Sequence, residues 1–130
     1  MLVSVICPCR NEEDYIDDFV SSLRAQQSDG FEFEFLIADG QSEDGTLAKL
    51  EHWKSLEPRL KVLENPGLMV STGLNRALEH ASGEFIVRMD IHTQYAADYV
   101  LQTVSVLQET GADCVGGPWK AVGRTWRQKA

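Results

Sequence analysis

Short apolar runs alternate with amphipathic stretches along the whole chain. Val3-Ser4-Val5-Ile6-Cys7 is apolar and β-branched and stops at Pro8, which predicts a buried strand. Ile16, Phe19, Val20 and Leu23 then fall at i, i+3, i+4 and i+7, one face of a helix. Asn11 is its predicted N-cap, and Glu12, Glu13 and Asp14 suit the positive helix start. The alternation repeats. Residues 33–38 predict a second strand, Leu47, Leu50 and Trp53 a second helix face, and residues 60–63 a third strand. Val70, Leu74, Ala77, Leu78 and Ala81 mark a third helix, residues 84–89 a fourth strand, and Val100, Val104 and Leu107 a fourth helix. Ala112-Asp113-Cys114-Val115 predicts a fifth strand, ended by Gly116-Gly117-Pro118.

Strands that alternate with helices at this spacing need crossover connections. The predicted fold class is therefore α/β, a mainly parallel sheet with helices on both faces. Ligands of such sheets sit at the carboxyl ends of the strands, where the winding direction reverses. The polar clusters follow the first, second and fourth strands. Asp90-Ile91-His92 stands where the fourth strand stops, and side chains at i and i+2 can converge on one small target once the chain leaves strand geometry. A divalent cation carrying a diphosphate is such a target. An Asp at a strand end is also an ordinary turn former, so the tripeptide alone leaves both readings open.

The loop Asp39-Gly40-Gln41-Ser42-Glu43-Asp44-Gly45-Thr46 is dense in carboxylates and glycines, so its amides can approach a ligand while its acids accept from it. Asp39 could accept the ring N–H of a uracil, with loop amides on the flanking carbonyls. Ser42 or Asp44 could equally cap the following helix. A phosphatase Asp-x-Asp-Gly-Thr nucleophile fails because Ser42 holds the nucleophile's place. A calcium-binding EF-hand loop fails because Asp44 occupies the position that needs glycine.

Composition narrows the function classes. The 130 residues suffice for one domain with a real core, and no apolar stretch nears the ~20 residues of a membrane span. The start of the chain shows no secretory signal pattern. Three cysteines argue against a disulfide framework and for a reducing, cytoplasmic setting, with Cys7 and Cys114 expected as buried apolar residues. Cys7-Pro8-Cys9 is too short to build a zinc site alone. A net charge of -8 excludes nucleic acid as a partner. All 20 acidic residues precede Cys114, whereas Lys120, Arg124, Arg127 and Lys129 form a basic tail over 119–130. An acidic body of 1–118 that binds a phosphate ligand needs a cation between them.

Taken together, four motifs in order resemble the family 2 glycosyltransferases, inverting enzymes of the GT-A fold. Pro8-Cys9-Arg10-Asn11-Glu12 is similar to the family's Pro-x-x-Asn-Glu start, and residues 37–46 to its Asp-Gly-Ser-x-Asp-Gly-Thr stretch. Asn65-Pro66-Gly67 with Asn75 resembles its Asn-x-Gly and Arg-Asn region, and Arg88 to His92 occupies the place of its Asp-x-Asp motif. The resemblance covers Val3 to Pro118 and implies a Rossmann-like nucleotide-binding half. It implies a nucleotide-diphosphate sugar donor, a UDP-sugar, and a saccharide or lipid-linked saccharide acceptor in polysaccharide biosynthesis. The donor site so implied comprises Pro8, Arg10, Asn11, Glu12, Asp39, Ser42, Asn75, Arg88 and Asp90, with His92 and Asp90 as metal ligands.

Three departures stand out: His92 replaces the usual second Asp, Leu74 stands where many members have Arg, and Gln41 is inserted before Ser42. The His form resembles the succinoglycan-type glucosyltransferase branch. A neutral imidazole suits Mn²⁺ better than Mg²⁺ and makes metal affinity fall as His92 protonates. In the family the general base lies in a later Glu-Asp type motif, past the equivalent of residue 118, and Trp119 to Ala130 contains no Asp or Glu. The base is thus expected beyond residue 130, and the chain is expected to bind a donor but to transfer slowly or not at all. Such a half leaves a sheet edge unprotected, which predicts self-association. In the full-length protein it would sit in the cytoplasm, peripheral to the inner face of the membrane. The alternative is a non-catalytic nucleotide-binding or interaction module of the same fold.

Overall fold

A computed structural model describes residues 1–116. The predicted basic tail, and Gly117-Pro118 as the end of a fifth strand, lie outside the described residues. The elements are β1 (Leu2–Cys9), α1 (Ile16–Arg24), β2 (Glu32–Asp39), α2 (Thr46–Leu56), β3 (Leu60–Glu64), α3 (Val70–His80), β4 (Phe85–Arg88) and α4 (Tyr99–Thr110). The four strands form one parallel sheet in the order β3-β2-β1-β4. Winding runs outward through β2 and β3 and then returns across β1 to β4, so the switch point lies between β1 and β4.

Both faces of the sheet are covered, and the alternation of side chains says by what. Val3, Val5 and Cys7 of β1 and Phe33, Phe35 and Ile37 of β2 share one face with Ile16, Phe19, Val20 and Leu23 of α1, Leu50 of α2, and Val100 and Val104 of α4. Ile6 and Leu36 point to the other face, against Ala77 and Leu74 of α3. α3 comes close because its sheet-facing residues are small: Gly73 and Ala77 are buried, whereas Val70 and Leu78 turn outward. Leu47 of the predicted α2 face is likewise exposed. Thr46 is buried in its place, with its hydroxyl accepting the Glu12 amide at 2.8 Å.

The last ladder position of β1 explains why β1 and β4 part. Leu2 and Ile6 accept from the amides of Glu84 and Met89, on the β4 side, and Met1 and Cys9 accept from Glu32 and Gly40, on the β2 side. Even-numbered residues of β1 therefore face β4, and the next of these is Pro8. It has no N–H to give, so the ladder with β4 cannot extend past the Ile6–Arg88 pairing, while that with β2 continues through Pro8 to Cys9–Asp39. The strand thus runs one residue beyond the proline that the sequence reading set as its end.

A buried carboxylate fixes the other end of β4. Glu34, on β2, accepts from the Ser4 hydroxyl at 2.5 Å, the Ser82 amide at 2.6 Å and Lys61 at 3.2 Å, and Ser4 accepts from the Gly83 amide at 2.8 Å. Burial pushes the Glu34 carboxyl up, but those hydrogen bonds outweigh it and hold it below the usual glutamate range. The turn before β4 is tied in this way to β1 and β2.

Three expectations need correction. Asn11 does not cap α1: the helix opens at Ile16 after Tyr15, and Asn11 sits in the left-handed region at φ 50° with its side chain turned to another loop. Residues 112–115 form no strand. Gly111 (φ 65°) turns the chain off the end of α4, and Ala112, Asp113 and Cys114 are exposed with no neighbouring strand among the described residues. Cys114 is accordingly a surface thiol, and only Cys7 of the two is buried.

Glu57 at the end of α2 joins α1 to the entry of β3. It receives Arg59 Nε at 2.8 Å and lies 3.4 Å from Arg24 Nε. The Arg59 hydrogen bonds, over an opposing effect of burial, lower its carboxyl from an ordinary 4.5 to about 2. A carboxyl lowered on folding stabilises the fold above its unfolded value, and that contribution is lost as pH falls from about 4.5 towards 2. Glu57→Gln is expected to cost about 2 kcal/mol at pH 7 and to flatten the acid limb of stability against pH, read by urea unfolding from pH 7 to 3.

Candidate functional site

Where β1 and β4 part, the carboxyl end of the sheet opens into a cleft of about 250 Å³. Pro8, Arg10 and Glu12 line it from the end of β1, and Arg88, Asp90 and His92 from the end of β4. Six of the residues singled out from the sequence thus meet at the switch point. Across from them stand Asn65 and the exposed apolar Leu68, Met69 and Val70 at the start of α3. That wall is absent from the predicted site, although Asn65-Pro66-Gly67 was among the motifs that carry the family resemblance.

Charges in the cleft are paired loosely. His92 Nδ1 lies 3.4 Å from Glu12 Oε1, and Arg88 Nε lies 3.2 Å from Asp90 Oδ1. His92 and Arg88 are more than half exposed, so the Arg88–Asp90 pair contributes less than about 1 kcal/mol, the His92–Glu12 contact is an ion pair only when the imidazole is protonated, and both can exchange for a ligand. Below them, burial and then the charges of Cys9 and Asp90 push the Cys7 thiol well up. Burial, followed by Asp39, Glu12 and Asp44, does the same to Cys9. Both are thereby held as neutral thiols, Cys9 lining the cleft and Cys7 fully buried behind it.

A second group of predicted residues joins the loop after β1 to the loop after β2. The Asn11 amide donates to Ser42 Oγ at 2.9 Å, and the Glu43 amide donates back to Asn11 Oδ1 at 2.8 Å. The Gly45 amide donates to Glu13 Oε2 at 2.8 Å, and a Cβ on Gly45 would collide with that carboxylate. Ser42 then grips Asp39, its hydroxyl donating to Oδ1 at 2.6 Å and its amide to Oδ2 at 3.1 Å. Asn11 and Ser42 therefore act within the protein, holding Asp39, itself buried beside Cys9 at the strand end. Asp44 accepts the Thr46 amide at 2.9 Å, so of the two helix-capping candidates it is Asp44 that serves α2.

Asn75 does not reach the cleft. It is exposed on α3 and lines a separate groove of about 240 Å³ with Asn65, Arg76 and Glu79. Each of the first three strands is followed by one non-glycine residue at positive φ: Asn11 at 50°, Gln41 at 54° and Leu68 at 65°. Such backbone is costly for leucine above all, and all three lie at the ligand-facing edge of the sheet.

Among the described residues no three of His, Cys, Asp and Glu stand close enough to enclose a metal ion. Asp90 and His92 are a partial donor set with Glu12 beside the imidazole. That suits a cation that brings phosphate oxygens with it, because such ions are commonly held by one or two carboxylates plus substrate phosphates.

Removing the Ser42 hydroxyl breaks the link between Asn11 and Asp39. Ser42→Ala is expected to cost about 1–2 kcal/mol in urea unfolding and to speed amide hydrogen exchange at Asn11 while leaving α4 unchanged.

Residues 4–130 match the model of the family described as Glycosyl transferase family 2. The chain is 33% identical over 128 residues to the succinoglycan biosynthesis protein ExoA of Rhizobium meliloti (strain 1021), covering 97% of this chain and 38% of that protein. Its fold is similar to S. aureus TarS in complex with UDP, at TM-score 0.72 and 27% identity, over 93% of this chain and 39% of the other. It is also similar to the mannosyltransferase PcManGT from Pyrobaculum calidifontis in complex with GDP-Man and Mn²⁺, at TM-score 0.73 and 28% identity, over 81% and 32%. The chain thus spans less than half the length of these relatives. A match that runs through nearly the whole sequence, on a parallel sheet of this kind, makes the chain a member of glycosyltransferase family 2 with the GT-A fold.

Proposed function

We propose that this chain is the donor-binding part of an inverting glycosyltransferase of polysaccharide biosynthesis. It takes a nucleotide-diphosphate sugar, a UDP-sugar, together with a divalent cation for which Mn²⁺ is favoured over Mg²⁺. The acceptor is a saccharide or a lipid-linked saccharide. The observation that carries this reading is the convergence of Glu12, Arg88, Asp90 and His92 on one cleft at the switch point of the sheet. The relatives support it, one in complex with UDP and another with GDP-Man and Mn²⁺.

Each residue has a role that its geometry permits. Asp39 accepts the uracil imide N–H: Ser42 uses one acceptor position on each of its oxygens and leaves a second on each. Arg10 and Arg88, exposed at the rim, meet the diphosphate, with Arg88 leaving its weak pair with Asp90. Asp90 and His92 hold the cation, which when bound stabilises the departing nucleotide diphosphate. A cleft of about 250 Å³ is smaller than the ~300–1,000 Å³ of a complete small-molecule site, in keeping with a part of the donor pocket.

Inverting transfer also needs a base for the acceptor hydroxyl, and in this reading that base lies beyond these 130 residues. No helix among the described residues is long and apolar enough to cross a membrane. A cytoplasmic position against the inner membrane face, and self-association through the outer edge of β4, belong to the same proposal.

Calorimetric titration of the chain with UDP and UDP-sugars, with and without Mn²⁺, tests the reading. Binding is expected to strengthen with Mn²⁺, to be abolished by Asp90→Asn and to weaken about tenfold in His92→Ala; no nucleotide binding at all would identify a structural module instead. Sugar transfer by this chain alone is expected at least about a hundredfold below the ~10 per second of ordinary enzymes, and turnover near that figure would place the base within these residues.

A further inference from the structure

We propose that Tyr95 is a positioning residue that sets the Asp90–His92 turn at the mouth of the cleft, with Gln26 as its anchor in the body of the domain. The inference rests on the donor-site reading above and names what holds that site in shape.

The Met89 amide makes the last bond of β4 to β1, donating to Ile6 at 3.1 Å. The next amide along the strand, that of Asp90, faces away from β1, where no described strand receives it. Tyr95 takes it instead, its hydroxyl oxygen accepting the Asp90 N–H at 2.7 Å. The Thr93 amide donates to the Asp90 carbonyl at 3.2 Å, so Asp90 through Thr93 is a closed turn bound at both of its Asp90 backbone groups. Met89 and Ile91 are buried in this segment, and Asp90, Ile91 and His92 line the cleft.

Tyr95 can fix the turn only if it is fixed itself. Its ring is half-buried and packs on Tyr99 with centroids 4.7 Å apart. The buried amide of Gln26, at the end of α1, donates to the Ala96 carbonyl at 2.9 Å and accepts the Val100 amide at 3.1 Å. The Gln27 amide adds a bond to the Ala97 carbonyl at 2.8 Å. The segment from residue 90 to the start of α4 is therefore held to β4 by Tyr95 and to α1 by Gln26. Pre-set geometry of this kind matters most for a two-residue metal corner, where a small displacement of either side chain loses the chelate.

Tyr95→Phe keeps the ring and removes the hydroxyl, and with it both the acceptor for the Asp90 amide and the side-chain hydrogen bond to Thr93 in the same turn, whereas Tyr99→Phe removes a hydroxyl that makes no bond to the turn. In Tyr95→Phe, amide exchange at Asp90 is expected to accelerate at least about tenfold. UDP binding with Mn²⁺ is expected to weaken about five- to tenfold while UDP binding without metal stays unchanged, as the loss of the hydroxyl's bonds to the turn, which act through the metal corner. Tyr99→Phe should match the wild type in both measurements. Unchanged Mn²⁺-dependent affinity in a folded Tyr95→Phe variant overturns the inference alone, as does equal weakening with and without metal. A wild-type chain that binds no UDP overturns the donor reading and this inference with it.

Discussion

The site depends on a missing hydrogen-bond donor. Pro8 falls on the β4 side of the central strand, at the first ladder position that cannot be made. One residue earlier the proline would face β2 and break the pairing that carries the sheet through Cys9–Asp39. At the observed position it spares the pairing with β2, stops only the ladder with β4, and leaves a gap between β1 and β4 on the side where the winding reverses. Apart from Asn75, the residues read as functional in this chain line that gap or belong to the loops that brace it.

Bracing accounts for many of the polar residues near the cleft. Asn11, Glu13, Ser42, Gly45 and Thr46 exchange hydrogen bonds between the loops after β1 and β2, and their combined effect reaches Asp39 through Ser42. The segment after β4 has no such partner loop and is tied by Tyr95 and Gln26 instead. Two rigid rims therefore face one another across a cleft whose own ion pairs are weak and exposed. Strong hydrogen bonds shape the site, while weak ones stay free for a ligand, the arrangement that pre-organised recognition requires.

Electrostatics add a restriction. The chain is acidic overall, and among the described residues the cleft brings Glu12 and Asp90 together with Arg10 and Arg88 at its rim. A diphosphate approaching such a surface meets its own sign of charge unless a cation accompanies it. The Asp90–His92 donor pair and the negative field both suit the proposed ligand, a nucleotide diphosphate accompanied by a cation.

The sequence by itself determined the order and type of the eight elements and the parallel α/β class, and it marked the polar stretches that end up at the ligand edge of the sheet. These follow from local periodicity and turn chemistry, which act over a few residues. It also placed Pro8, Glu12, Arg88, Asp90 and His92 at strand ends, and thus at the ligand edge. Tertiary structure decided which polar side chains face the cleft. Asn11 and Ser42 are engaged with each other across 31 positions, Asn75 turns away on α3, Asn65 lines the cleft without having been counted in the site, and Tyr95 takes a place that no local pattern marks. The expected fifth strand failed for a similar reason. A strand exists only with a partner for its backbone groups, and Ala112 to Val115 has none among the described residues.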